Sequence, residues 1–384
     1  MSVTAAQGFR AAGVAAGLKS SGNPDVAVVV NDGPIRTAAA VFTSNRCKAN
    51  PVLWSQEAIK AGRASAVVIN SGGANCYTGA EGFATTHRTA ELAGERLGVG
   101  AIEVQVCSTG LIGMLNDRDA LLSGVGSAID QLSDDGGRAA ATAIMTTDTV
   151  AKEAVWASDD GWVVGGMAKG AGMLAPALAT MLVTITTDAD IDAATADAAL
   201  RAATARTFDR LDSDGCQSTN DTVLLLASGS SGFTPSIVAL TDAVTAVCHD
   251  LARQLLADAE GADHEITIEV VNAATEADAL EVGRSIARSN LFKCAIFGKD
   301  PNWGRILASV GTTQAAFDPA DLDVALNDVW VCRNSGPSES PDAVSLEERA
   351  VSVTVDLKAG DATATIWTND LTHAYVHENS AYST

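Results

Sequence analysis

Residues 169–184 read KGAGMLAPALATMLVT and lie near the middle of the 384-residue chain. The glycines and Pro176 disfavour a helix here, because glycine is conformationally free and proline lacks a backbone donor. The apolar, β-branched run 181–185 that follows predicts a buried strand. We therefore expect Thr180 to open a core strand at the mouth of a glycine-lined cavity.

The chemistry of Thr180 depends on the bond before it. Cleavage between Ala179 and Thr180 would free an α-amine with an ordinary pKa of about 7.7–8.0. Such an amine can act as the general base for the hydroxyl of its own residue. Without cleavage, Thr180 is a threonine that starts a strand after a Gly/Pro loop, and the residues alone favour this plainer interpretation.

A second candidate for chemistry follows the predicted strand 104–107. The strand is followed at once by Ser108, Thr109 and Gly110. A Thr-Gly pair at a strand end can aim a hydroxyl and a backbone N–H at a developing oxyanion, since glycine removes the steric barrier. From the residues alone, a simple strand-to-helix turn is the favoured interpretation.

Residues 169–182 resemble the processing segment of the ornithine acetyltransferase family, which includes the bifunctional glutamate N-acetyltransferases of arginine biosynthesis. Five further segments, spread in order from the first third of the chain to its last residue, also resemble motifs of this family. They are CSTGLIG at 107–113, IMTTDT at 144–149, STNDT at 218–222, FGKDPNWGRI at 297–306 and NSAYST at 379–384. The resemblance therefore covers nearly the whole chain.

The resemblance implies an α/β fold of layered sheets flanked by helices, self-processed into two chains. The first, or alpha, chain would span residues 1–179. The second, or beta, chain would span residues 180–384 and begin with the nucleophile, with a strand-rich C-terminal lobe at about 265–384. Family members assemble from such paired fragments, so we expect a heterotetramer of two alpha and two beta chains.

The resemblance also implies roles for individual residues. Thr180 would be the nucleophile, and Thr109 and Gly110 would form the oxyanion hole. The residues implied in substrate binding are Thr146, Lys169, Thr180, Glu260, Asn379 and Thr384. Thr147 remains a close rival to Thr146.

Four of these binding residues, two of them in the C-terminal tail, would be unremarkable without the resemblance. On a loop, Lys169 would be solvated, although a lysine beside a glycine turn can hold a carboxylate as a point charge. Glu260 would be a residue of a helix C-terminal turn, where the helix dipole disfavours it. The tail 379–384 would be a frayed end.

The implied activity is transfer of the acetyl group from N2-acetylornithine to glutamate through an acetyl-Thr intermediate. No organic cofactor is needed, because the enzyme itself carries the acyl group. Acetyl-CoA stays open as a second donor. One alternative is a self-cleaving Thr-nucleophile aminopeptidase or amidohydrolase, in which water replaces glutamate, and another is a non-enzymatic binding module.

Composition excludes other functions. The formal net charge of −22 argues against binding nucleic acid, whose phosphates would be repelled. Seven scattered cysteines without a C-x-x-C pair predict reduced thiols in a cytosolic protein. We found neither a signal-peptide h-region nor an apolar stretch of 18 residues, so we expect a cytoplasmic protein with no membrane partner.

Two further site types are disfavoured by the residues. His373 and His377 would share a face of a helix, but 374–376 (AYV) predicts a strand, so we expect no metal. Residues 170–175 fit the G-x-G-x-x-A fingerprint of dinucleotide sites, but that fingerprint needs a helix and Pro176 follows directly.

Local patterns predict the remaining elements that matter below. Strands at 25–30 and 37–42, separated by the turn signal NDGP, predict a hairpin. Strands around Asp159-Asp160-Gly161 predict a second hairpin with a two-residue turn. Helical spacing over 235–259 predicts the longest helix.

Overall fold

The structure is a computed structural model that describes residues 2–173 and 181–381. The predictions for Ala179, Thr180 and Thr384 lie outside the described residues. The strands are β1 Phe9–Val14, β2 Val26–Asn31, β3 Thr37–Phe42, β4 Ala66–Asn70, β5 Val104–Ser108, β6 Lys152–Ala157, β7 Val163–Lys169, β8 Leu182–Thr187, β9 Thr222–Ala227, β10 Glu265–Ala273, β11 Asp323–Leu326, β12 Val329–Arg333, β13 Gly336–Pro337, β14 Ala350–Asp356 and β15 Ala362–Asn369. The helices are α1 Asn50–Ala58, α2 Gly79–Leu97, α3 Arg118–Asp130, α4 Gly137–Ala143, α5 Ala193–Arg206, α6 Ile237–Ala257, α7 Glu276–Ala287, α8 Asn290–Phe297, α9 Trp303–Val310 and α10 His373–Ala381.

Two sheets face each other and bury an apolar layer between them. The first sheet has the strand order β1-β2-β4-β5, and the second has the order β3-β9-β8-β7-β6. Phe9 and Val29 of the first sheet share one buried cluster with Leu182 and Leu224 of the second. Alternate residues of each strand face this layer, as the two-residue period of a strand requires.

Helices cover the outer face of each sheet, so the architecture is helix, sheet, sheet, helix. Helices α1, α2 and α3 pack on the first sheet through Trp54, Ala90 and Val125. Helices α5 and α6 pack on the second sheet through residues such as Leu200 and Leu251. The layered α/β prediction is confirmed. Helix α6 is the longest described, and none of the described helices combines the length and apolar content that a bilayer crossing needs.

A third sheet has its own core towards the C-terminus. Its strand order is β13-β12-β11-β14-β10-β15, and α7, α8 and α9 pack on it. Strand β10 lies between a parallel neighbour, β14, and an antiparallel one, β15. The division of the chain between residues 179 and 180 stays a prediction.

Strand ends from both facing sheets meet at one edge of the sandwich. In the second sheet, Lys169 at the end of β7 pairs with Leu182, which pairs with Thr222 at the start of β9. In the first sheet, β5 ends at Ser108, whose carbonyl oxygen accepts a hydrogen bond from Asn220 Nδ2 at 2.7 Å. This edge is where the candidate site lies.

The first predicted hairpin is wrong. Strand β2 pairs with β1 and β4 on its two edges, which leaves no edge for β3. Strand β3 pairs instead with β9 in the facing sheet. The NDGP turn carries the chain between sheets, because Asn31 Nδ2 donates to the carbonyl oxygen of Ala227 and the Ile35 N–H donates to that of Ser228.

The second predicted hairpin, β6–β7, is confirmed. Its turn is longer than the two residues that we expected, because the Ser158 N–H donates to Trp162 O.

The predicted strand at 374–376 is also wrong, because these residues belong to α10. Thr372 Oγ1 accepts a hydrogen bond from Tyr375 N–H at 2.9 Å, as a side chain that caps a helix start does. Three residues are too few to separate strand from helix by periodicity. The segment 297–306, which resembles a family motif, contains the start of α9 at Trp303.

The second sheet should lose stability when its central core is truncated. Leu225 of β9 is fully buried against α5 and α6, so Leu225→Ala is expected to lower the free energy of unfolding by about 2–5 kcal/mol. Urea unfolding followed by circular dichroism measures the change. Leu291→Ala is the matched control, since Leu291 is 67% exposed, and equal losses in both variants would contradict the described packing.

Candidate active site

A cavity of about 190 Å³ opens where the strand ends meet. Six of the residues that the sequence predicted as functional line it, although they come from segments far apart in the chain. These six are Thr109, Gly110, Thr146, Lys169, Glu260 and Asn379. Other described lining residues are Ala74, Ile112, Thr147, Gly172, Met173, Asp214, Cys216, Ser218, Thr219, Asn220 and Tyr375.

Thr109 and Gly110 form the wall contributed by the first sheet. The Thr109 N–H donates to Asn70 O at 2.9 Å, which leaves the Gly110 N–H as the neighbouring backbone donor. Gly110 has a φ of 122°, and a Cβ there would lie 2.9 Å from Gly73 N, so only glycine fits. The chain can therefore make this sharp approach to the cavity only with glycine at residue 110.

Lys169 differs from the loop residue that we expected. It is the last residue of β7, and only 2% of it is exposed. Its Nζ donates to Thr109 Oγ1 at 3.2 Å. Because an ammonium can only donate, the Thr109 oxygen accepts this bond and its O–H hydrogen stays available to an oxyanion.

Burial makes the charge of Lys169 costly. Desolvation lowers the pKa of Lys169, and the nearby charge of Asp148 opposes this effect. Lys152 lowers the pKa of Lys169 further, whereas Glu260 and Asp221 raise it. A buried ammonium of this kind is suited to bind a carboxylate that enters the cavity.

Thr146 and Thr147 both line the cavity, so the choice between them stays open. The Thr146 N–H donates to Asp148 Oδ2 at 2.9 Å, which shapes the turn that carries both threonines. Asp148 is buried, and its Oδ1 accepts from Lys152 Nζ at 2.7 Å and from the Gly170 N–H at 2.6 Å. Burial alone would raise the pKa of Asp148, but Lys169 and Lys152 hold it below its ordinary value.

Glu260 brings a carboxylate to the cavity. Its N–H donates to Ala171 O at 3.0 Å, three residues after the end of α6. A Cβ on residue 172 would lie 2.6 Å from Glu260 Oε2, so the glycine allows the carboxylate to lie across the loop. Lys169 and Glu260 therefore give the cavity a cationic and an anionic group.

The C-terminal helix closes part of the cavity. Tyr375 and Asn379 of α10 line it, and Asn379 Nδ2 donates to Tyr375 O at 3.0 Å. A Cβ on residue 261 would lie 2.2 Å from Tyr375 N, so α10 packs closely on the loop after α6. Burial, together with Asp214, Glu260 and Cys216, raises the pKa of Tyr375 to about 12. The described part of the tail is helical rather than frayed.

Cys216 is the one cysteine among the described residues that line the cavity. Burial raises the pKa of its thiol, and Asp214 and Asp221 raise it further, so the reactive thiolate is disfavoured. No histidine occurs among the lining residues in the described ranges. These observations disfavour a Cys–His mechanism at the described wall of the cavity.

Sequence reasoning missed several residues of the site. Asp148 lies inside a segment that we singled out, but a carboxylate in a Thr-rich turn gave no sign of its three hydrogen-bond partners. Asp214 and Cys216 lie on a Ser-Asp-Gly-Cys loop, where Asp214 Oδ2 accepts from the Met173 N–H at 2.7 Å. Only its small, polar composition could have pointed to this loop. Tyr375 was missed because its segment was predicted as a strand.

The similarity to known proteins extends over nearly the whole chain. A model of the ArgJ family matches residues 10–384. The arginine biosynthesis bifunctional protein ArgJ of Streptomyces coelicolor is 65% identical over 383 residues, which is 100% of both chains.

Two solved structures also match. That of the arginine biosynthesis bifunctional protein ArgJ from Bacillus halodurans is 36% identical, with a TM-score of 0.50, and the match covers 52% of this chain and 98% of that chain. That of the ornithine acetyltransferase of Mycobacterium tuberculosis complexed with ornithine is 53% identical, with a TM-score of 0.45, covering 47% and 96%. The family match and the full-length relative confirm the resemblance seen in the sequence: the chain belongs to the ArgJ family.

Proposed function

We propose that this chain transfers the acetyl group of N2-acetylornithine to glutamate, as an enzyme of arginine biosynthesis. The observation that carries the proposal is that six predicted residues from distant segments line one cavity. Membership of the ArgJ family supports the same activity. In this proposal the acyl carrier is Thr180, so the transfer needs no organic cofactor.

The nucleophile is generated by self-cleavage between Ala179 and Thr180. Met181, which directly follows Thr180 in sequence, donates its N–H to Asp221 Oδ1 at 3.1 Å, next to the start of β9. The match to the ArgJ chain from Bacillus halodurans covers 98% of that chain but only 52% of this one. A solved chain that is one fragment of a cleaved protein would give such a match. The two fragments assemble as a heterotetramer of two alpha and two beta chains, and the reaction takes place in the cytoplasm.

Transfer proceeds in two half-reactions. The Thr180 hydroxyl oxygen bonds to the acetyl carbonyl carbon while the Thr180 α-amine takes the hydroxyl proton. The Thr109 hydroxyl and the Gly110 N–H donate to the oxyanion that forms. The carbon–nitrogen bond then breaks, the amine returns the proton to the leaving nitrogen, and ornithine departs. The glutamate amine attacks the acetyl-Thr180 ester by the reverse sequence, which gives N-acetylglutamate.

The charged groups of the cavity orient both substrates. Lys169 holds a substrate carboxylate, while Glu260 holds a substrate ammonium and Thr146 and Asn379 contribute hydrogen bonds. Thr384 completes the substrate contacts. Acetyl-CoA is a second acetyl donor in this proposal, and comparing it with acetylornithine as donor to glutamate tests that point.

Self-cleavage is tested on a denaturing gel. Wild-type protein is expected to give two fragments of similar size, whereas Thr180→Ala should leave one 39.1 kDa band because it lacks the hydroxyl. Thr180→Ser is the matched control, since it keeps the hydroxyl and should still be cut. An unbroken wild-type chain that is fully active would contradict the proposed nucleophile.

The acceptor is tested by following ornithine release from N2-acetylornithine. Sustained release should depend on glutamate, and without it each active site should release one ornithine and gain the mass of one acetyl group on Thr180. If release proceeds equally without glutamate, the chain is an amidohydrolase in which water is the acceptor, and the transferase proposal fails.

The oxyanion role of Thr109 predicts a large effect on turnover. Thr109→Val keeps the shape but removes the hydroxyl, so kcat is expected to fall about 10²–10³-fold. Thr89→Val is the control, because Thr89 is an equally buried threonine of α2 whose hydroxyl donates to Thr85 O. Similar losses in both variants would mean that the hydroxyl of Thr109 has only a structural role.

A further inference from the structure

We propose that Asp148 is a positioning residue that keeps Lys169 charged and leaves it free to bind the substrate carboxylate. The inference rests on the proposed function, because it needs a substrate carboxylate at Lys169. Asp148 lies in a segment whose family resemblance assigns it no role, and it does not line the cavity.

The contacts of Asp148 hold the cavity wall together. Its two oxygens accept hydrogen bonds from the N–H of Thr146, the N–H of Gly170 and the Nζ of Lys152. Thr146 lines the cavity, and Gly170 directly follows Lys169. The carboxylate of Asp148 therefore fixes the backbone at Thr146 and next to Lys169, two of the residues that the proposed function assigns to substrate binding.

Asp148 acts on Lys169 by charge rather than by direct pairing. Within the described part of the chain, the ion pair of Asp148 is with Lys152, and the hydrogen bond of Lys169 Nζ is with Thr109. The ammonium therefore retains donors for a ligand. Asp148 is nonetheless the nearby charge that most strongly favours the ammonium against its own burial.

Other charged groups face Lys169, and they cannot replace Asp148. Lys152 and Lys19 are like charges, and Lys19 Nζ donates to Met145 O at 2.7 Å behind the same turn. Glu260 lines the same cavity, and the proposed function commits it to the substrate ammonium. Burial raises the pKa of Asp221 well above its ordinary value, which disfavours its charged form.

Asp258 provides a matched comparison. Its Oδ2 accepts from Lys152 Nζ at 2.5 Å and from the Thr149 N–H at 3.0 Å, so it shares Lys152 with Asp148. It is not among the charges that act on Lys169. Removing the charge of Asp258 therefore disturbs Lys152, as removing that of Asp148 does, but it does not act directly on Lys169.

The test measures kcat and KM for glutamate against pH in processed full-length enzyme. Asp148→Asn keeps the shape but removes the charge, which lowers the pKa of Lys169 and makes the ammonium deprotonate at lower pH. We expect KM near neutral pH to rise about tenfold or more, with a smaller change in kcat. The rise of KM at alkaline pH should begin about one pH unit or more earlier than in wild type.

Three comparisons decide the outcome. Asp148→Glu restores the charge and should return the alkaline rise of KM towards wild type, and it carries the test if Asp148→Asn does not fold. Asp258→Asn should keep the wild-type alkaline profile. The inference is overturned if Asp148→Asn keeps that profile, or if Asp258→Asn shifts it equally. Absence of acetyl transfer by wild-type enzyme would overturn the proposed function itself, and this inference with it.

Discussion

The side-chain amide of Asn220 joins the two facing sheets at the edge where the cavity opens. Its Nδ2 donates to Ala74 O at 2.6 Å and to Ser108 O at 2.7 Å, and the residue is buried. One amide therefore spans from the start of β9 to the end of β5 and to the turn beside it. Buried donors that are fully paired are costly to break, so the amide holds the Thr109–Gly110 wall against the second sheet.

Burial is the second constraint on the site. A cavity between two sheets excludes water, so each charge there must be balanced by another or shift its pKa. Asp148, Lys152 and Asp258 form a buried ion-pair network behind the cavity, while Lys169 faces into it without an ion pair within the described chain. The network thus balances its own charges and leaves one ammonium for an incoming anion. An acidic protein surface does not contribute to this, because exposed charges are screened by solvent and salt.

Part of this arrangement could be predicted from the sequence. Strands such as β8 and β9 are buried on both faces and carry unbroken β-branched and aliphatic runs, and α6 shows a clear helical period. The six predicted residues that line the cavity owe their assigned roles to the family resemblance. From the residues alone, Lys169 looked like a solvated loop residue and Glu260 like a residue of a helix C-terminal turn.

The rest depends on contacts between distant segments. Nothing local shows that β3 leaves the neighbourhood of β2 for the facing sheet, because strand pairing is decided by which edges are free. Likewise, the pairing of Lys152 in β6 with Asp258 joins residues that are 106 positions apart in the chain, so it depends on where the end of α6 lies against β6. A short apolar triplet such as 374–376 fits either period, and the hydroxyl of Thr372 decides in favour of the helix.

The strand order of the second sheet bears on what a cut in the central segment can do. Strands β8 and β9, which follow residue 180, lie side by side and are flanked by β7 on one edge and by β3 on the other. Both flanking strands precede residue 180. Cleavage before residue 180 would therefore give two polypeptides whose strands alternate within one hydrogen-bonded sheet. Neither polypeptide could dissociate unless the sheet came apart, so the hydrogen bonds of the sheet would hold the cleaved molecule together.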